Sequence, residues 1–194
     1  YGKIGETEVG CPLVVHRRCL SPMFDISNKI SYDDRMINKC MPDKKPIDYV
    51  LEKNEFIDVK GQEKGNGDHY VKEQGEKIIE IIKDCIENRE IDVFENSKHL
   101  YVISPFTTVV NGIRNDINKA FKEECQSEDD KDKLKKWCEN CLGTVHKFQG
   151  KEANSVILLL GCDKNSKSSA QWAAQQANIL NVAATRAKKR FAII

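Results

Sequence analysis

Residues 143–161 read GTVHKFQGKEANSVILLLG, and residues 181–194 read NVAATRAKKRFAII. In each stretch a polar cluster stands beside an apolar run. Thr144, His146, Gln149, Gly150 and Glu152 precede Val156 to Leu160, while Asn181, Thr185 and Arg186 precede Phe191 to Ile194. Short apolar runs bounded by turn residues read as buried strands. Polar residues at the mouths of parallel strands are where open α/β sheets put their ligand sites. These two stretches therefore set the expectation for both the fold class and the position of a site.

Working outward, Ala170 to Arg186 reads as one helix, and Cys141 to Val145 and Arg190 to Ile194 as strands. Upstream, Leu100 to Ile103 is a short buried strand ending at Ser104-Pro105. Thr107 to Glu124 has helical spacing, with Val109, Val110, Ile113, Ile117 and Phe121 on one face. Tyr70 to Asn88 shows the same period through Ile78, Ile79, Ile81, Ile82, Cys85 and Ile86. CPLVVHRR at 11–18 reads as a strand ending in charge, and Pro22 after Ser21 opens a helix. Asp48 to Leu51 and Phe56 to Val59 are strand candidates, and Gly61 to Asp68 is a glycine-rich turn. Glu123 to Glu139 is so highly charged that it reads as a solvated helix or loop. Strands alternating with helices predict βαβ units and a parallel sheet covered on both faces.

Composition narrows the class. The chain has 194 residues, 40% hydrophobic and 31% charged, an ordinary globular balance that suits a single domain over 1–194. A net charge of +1 excludes a bulk basic field, so any nucleic-acid contact has to be local. No apolar run approaches the roughly 20 residues of a membrane span, and the start, YGKIGETEVG, lacks the apolar region of a signal peptide. The eight cysteines sit mostly within apolar patterns, which predicts buried thiols in a reducing, cytoplasmic setting. Cys138 and Cys141 form a C-x-x-C, but no second ligand pair stands at zinc spacing, so no metal site is expected from them. Tyr1 is no initiator and Ile194 falls inside a strand pattern, so a piece of a longer protein is expected.

The chain contains no G-x-x-x-x-G-K-[ST] phosphate loop, since Gly150-Lys151 is followed by Glu152. It is therefore not expected to hold a nucleoside triphosphate and its metal by itself. Arg186, at a helix end, could reach charge developing on a transferring phosphoryl group, or be a surface arginine helped by the helix dipole. Arg17 and Arg18 admit the same two readings. Thr144 could bond a phosphate oxygen or simply fill a strand, and His146 could stack on a base or be structural. Glu152 could accept from a ribose hydroxyl or remain solvated.

The combination is more specific than its parts. PLVVHRRCLSPMFDISNKISY resembles motif IV of superfamily 1 helicases, with His16-Arg17-Arg18-Cys19 where Gln-Tyr-Arg-Met is commoner. ISPF resembles a strand-end segment of the same domain, GTVHKFQGKEANSVIL is similar to motif V, and NVAATRAKK to motif VI. The order and spread of these segments resemble the second RecA-like domain of the 1B branch. That resemblance implies a RecA-like, three-layer α/β domain of the P-loop NTPase type, with a mainly parallel sheet and no phosphate loop of its own. It implies Arg186 as arginine finger and Arg18 as a second arginine facing the terminal phosphates. Glu152 would contact the ribose, with Gln149 and Gly150 shaping that loop. Thr144, His146, Ser104, Pro105 and Phe106 would lie along a single-stranded nucleic-acid track. ATP and Mg2+ would be cofactors of the full-length protein only, completed by its N-terminal RecA-like domain. The competing reading is a docking module that keeps the fold and holds nucleic acid or protein without catalysis.

Overall fold

In a computed structural model, the structure describes residues 2–4, 7–9, 14–44, 48–63, 65, 67–125 and 127–194, with 2–4 and 7–9 described by backbone alone. The elements in chain order are β1 (Gly2–Ile4), β2 (Thr7–Val9), β3 (Val15–His16), α1 (Met23–Ser31), β4 (Ile37–Asn38) and β5 (Glu55–Phe56). They continue with α2 (Lys72–Asn88), β6 (Leu100–Ser104), α3 (Thr107–Phe121), α4 (Glu128–Cys141) and β7 (Leu142–Thr144). A 3-10 turn (Val145–Phe148), β8 (Ala153–Leu158), α5 (Lys167–Gln175), α6 (Ala177–Arg186) and β9 (Ala187–Ile193) close the chain.

Five strands form one sheet in the order β5-β9-β8-β6-β7, and every pairing in it is parallel. The expected α/β class with a parallel, helix-covered sheet is what the chain forms. The central strands explain why. LYVIS is buried at every position of β6, and β8 is nearly so, because a strand covered on both faces has no polar side to alternate. Helices α2, α3 and α4 pack side by side, α3 contacting both neighbours, while α6 packs on β8 and β9 and carries α1 against it.

Helix α2 buries Ile78, Ile82 and Cys85, spaced four and three apart, as an amphipathic helix does. It meets α3 around Tyr70, whose hydroxyl donates to Asp116 at 2.7 Å. A Cβ at Gly112 would collide with the Tyr70 ring, so this close approach requires glycine.

Several local expectations are corrected. The highly charged stretch 123–139, expected as a solvated helix or loop, does carry a helix, α4, opened by a reciprocal Ser127–Asp130 capping box, but one that is not wholly solvated. Its charges pair with each other on the outer face, while Leu134, Trp137, Cys138 and Cys141 form a buried seam. Residues 48–51 form no strand. Val50 and Leu51 are buried instead by packing, and Leu51 N donates to Ser155 Oγ at 3.3 Å. The single helix expected over 170–186 is two helices that break at Gln176. The strand expected over 11–18 is described only at its end, as β3, because 11–13 lie outside the described residues. No helix among the described residues is long and apolar enough to cross a membrane.

Candidate functional site at the two edges of the sheet

Adjacent strands β8 and β9 begin in register, Ala153 opposite Ala187. The residues immediately before them, Glu152 and Arg186, are thereby brought together at the N-terminal edge of the sheet. The loop carrying Arg18 joins them, because Leu20 N donates to Lys188 O at 3.1 Å. His16 Nε2 accepts from Cys19 N at 3.0 Å and Cys19 is fully buried, which turns Arg17 and Arg18 outward as exposed side chains.

Arg186 is only 6% exposed, where the dipole reading of a surface arginine would leave it open. Its Nη1 donates to the carbonyls of Phe148 and Lys151, both at 3.2 Å. Its Nε donates to Val182 O at 3.3 Å and its Nη2 to Thr185 Oγ1 at 3.2 Å. The guanidinium therefore clamps the turn that carries Gln149 and Gly150. That turn is built locally. Val145 and Phe148 are buried three residues apart, Phe148 packs 4.6 Å from the Tyr101 ring, and His146, Gln149 and Gly150 stay exposed. Gly150 has φ +81°, a conformation glycine adopts without penalty.

The electrostatics of this edge are cationic. Burial and then the nearby Arg18 charge lower the Arg186 pKa, while Cys19 and Glu152 oppose the shift. Lys188, quoted in the sequence but given no role there, donates to Glu152 Oε1 at 2.9 Å. This bond is the main cause holding the Glu152 carboxyl below its ordinary range, with Arg18 contributing. Burial, with help from Cys40, pushes the Cys19 thiol up to about 12. Three cations thus lie around one carboxylate, which leaves this edge net positive.

Ser104, Pro105, Phe106 and Thr144 fall on the opposite edge. Ser104 ends β6 and Thr144 ends β7, directly opposite each other. Ser104 is buried and its Oγ accepts from Phe106 N at 3.2 Å, which shapes the turn into α3. The Phe106 ring lies 4.4 Å from His69 and 5.8 Å from Trp172, forming an aromatic row that sequence reading missed beyond Phe106 itself. Trp172 is 48% exposed. Pro105 lines a cleft of about 1050 Å³, also walled by Lys60, Lys164, Leu160, Leu180 and Ile193. The expectation of one site at strand mouths is therefore refined into two groups, because Glu152 and Arg186 precede their strands while Ser104 and Thr144 follow theirs. His146, exposed in the turn between β7 and β8, belongs to neither strand edge.

Cys138 and Cys141 are both buried, and each thiol has a contact of its own. Cys138 Sγ approaches Asn118 Oδ1 at 3.8 Å and Cys141 Sγ the Ser97 carbonyl at 3.5 Å. Burial pushes their thiols up to about 11 and about 12.

Fold and site together define a parallel-sheet α/β domain with a cation-rich edge. The chain belongs to the AAA domain family, whose model matches residues 8–194. Among solved structures it is similar to the C-terminal domain of a possible DNA helicase from Lactobacillus plantarum WCFS1. That similarity has 12% identity and a TM-score of 0.47, covering 91% of this chain and 85% of the other. No curated protein matches the chain.

Proposed function

We propose that this chain is the C-terminal, second RecA-like motor domain of an ATP-dependent DNA or RNA helicase of superfamily 1, closest to its 1B branch. The observation that carries the reading is the meeting of Arg18, Glu152 and Arg186, from three distant sequence segments, at one edge of the sheet. Each belongs to a different one of the motifs that the sequence resembles.

In this reading the chain is one wall of a split nucleotide site. It has no phosphate loop, so ATP and Mg2+ would be held by an N-terminal RecA-like domain of the longer protein. The residues here suit the opposing wall, because they are cationic and contain one acceptor. Arg18, exposed, would neutralise charge developing on the transferring phosphoryl group. Arg186 would do so from the adjacent position after exchanging some of its carbonyl partners, and until then holds the Gln149–Gly150 turn. Glu152, with Gln149 and Gly150 beside it, would accept from the ribose. Thr144, His146, Ser104, Pro105 and Phe106 would contact a single strand, mostly through phosphates and stacking. Binding would then depend on salt and discriminate weakly between sequences.

One observation favours a second reading, a docking module without turnover: the Arg186 guanidinium is already engaged by its own domain's carbonyls. ATP hydrolysis by the longer protein, with and without single-stranded DNA or RNA, separates the two. The motor reading expects strand-stimulated turnover that Arg18→Ala lowers by about 10³-fold or more while ATP binding persists. It expects no appreciable hydrolysis by this chain alone. Unchanged turnover in both Arg18→Ala and Arg186→Ala would hand the chain to the docking reading.

A further inference from the structure

Outside both groups, three donor side chains from separate segments meet beside the C-terminal edge. Glu63 and His69 lie in the loop before α2, and Cys162 in the loop after β8. One ligand atom from each lies within 4.8 Å of the other two. The backbone fixes this meeting. Cys162 N donates to His69 O at 2.7 Å. Glu63 accepts from His69 N at 3.2 Å through Oε2 and from Asp163 N at 3.2 Å through Oε1.

Two features are unusual for a mere loop anchor. His69 and Cys162 both take positive φ, 57° and 67°, where non-glycine residues are uncommon. Among the described residues, His69 Nδ1 is buried without a hydrogen-bond partner, 3.6 Å from Glu63 Oε2. Buried polar atoms are nearly always partnered, so an orphan of this kind calls for an explanation. The imidazole plane is held by the Phe106 ring at 4.4 Å.

We propose that Glu63, His69 and Cys162 bind a zinc-class divalent transition metal through a carboxylate oxygen, Nδ1 and a thiolate. The donor chemistry selects the ion: a thiolate with an imidazole suits zinc and disfavours the hard, oxygen-seeking magnesium and calcium. Zinc bond lengths put tetrahedral ligand atoms about 3.5 Å apart, so contraction by roughly an ångström closes the site. Asp163 is committed to the amides of Glu63, Asn165 and Ser166, which leaves the fourth position to water. The bound ion ties the loop before α2 to the loop after β8 and fixes the ring that supports Phe106. It does so whether or not the chain is a motor.

Binding converts the Cys162 thiol to a metal thiolate and releases one proton.

The test is titration of the metal-stripped chain with Co2+ and Zn2+. Expected are one ion per chain, tetrahedral cobalt bands in the visible and a thiolate charge-transfer band in the near ultraviolet. Cys162→Ser removes the charge-transfer band. His69→Asn and Glu63→Gln each weaken zinc binding by about 100-fold or more, since even an outer-shell partner is worth 10- to 100-fold. Glu63→Gln keeps an acceptor for the loop amides, and circular dichroism of each variant shows that a loss is not unfolding. Cys138→Ser leaves binding unchanged. No saturable binding at micromolar zinc, binding that survives Cys162→Ser, or binding lost only with Cys138→Ser overturns the proposal.

Discussion

At the N-terminal ends of β8 and β9 the side chains are ionic and tied down. Arg186 is clamped by carbonyls, Lys188 is paired with Glu152, and Arg18 stands exposed beside them. At the C-terminal ends of β6 and β7 they are hydroxylic and aromatic, with Ser104 and Thr144 beside the row of His69, Phe106 and Trp172. The backbone explains the contrast. Helix α6 delivers its C-terminus to the first edge, where the macrodipole favours cations such as Arg186. Helix α3 starts at the second edge, after Phe106, and offers unpaired amides of its first turn there. One sheet thus presents fixed positive side chains at one end, and amides, hydroxyls and ring faces at the other.

The contrast is sharpened first by stability. Arg186→Ala removes a buried guanidinium that donates to the Phe148, Lys151 and Val182 carbonyls and takes from Lys151 O its side-chain donor, so urea denaturation of the chain should show a loss on the order of 3 kcal/mol. Arg18→Ala, an exposed change, should stay within about 0.5 kcal/mol. Equal losses would break the distinction between a clamp and an exposed arginine.

The aromatic edge comes next. Phe106→Ala and Trp172→Ala should each weaken single-strand affinity by about 1–3 kcal/mol, the range for base stacking, as read by fluorescence anisotropy. Lys188→Ala should shift the salt slope of that affinity little. If Lys188→Ala weakens strand binding as much as Phe106→Ala does, the strand lies on the ionic edge and the assignment of edges is reversed.

The smallest effect concerns the Glu152–Lys188 pair. Both side chains are partly exposed, so the pair is worth about 0.2–1 kcal/mol. The folded Glu152 pKa lies below its ordinary 4.5. Its contribution is therefore present above that value and lost as pH falls through the folded pKa. The stability gap between the chain and Lys188→Ala should be constant at neutral pH and should close below about pH 4.5. A gap that persists in acid would mean that Lys188 stabilises by packing its stem instead.

Legibility in the sequence followed the strength of local pattern. Strands β6 and β8 were readable as short continuous apolar runs, and helices α2 and α3 because their apolar residues repeat with a helical period. The seam of α4 was hidden because charged residues outnumber Leu134, Trp137 and the two cysteines around it. The break at Gln176 escaped because alanine and glutamine favour helix on both sides. Lys188 was visible but unassigned, since only the shared start of β8 and β9 brings it to Glu152.

The sequence by itself determined the α/β class, the parallel sheet and the residue types available for chemistry, because these follow from short-range periodicity and side-chain identity. Only the tertiary structure decided that Arg186 is buried, that the candidate residues other than His146 divide between two edges, and that Glu63, His69 and Cys162 meet. Those outcomes depend on strand register and on contacts between segments far apart in the chain, which local pattern does not encode.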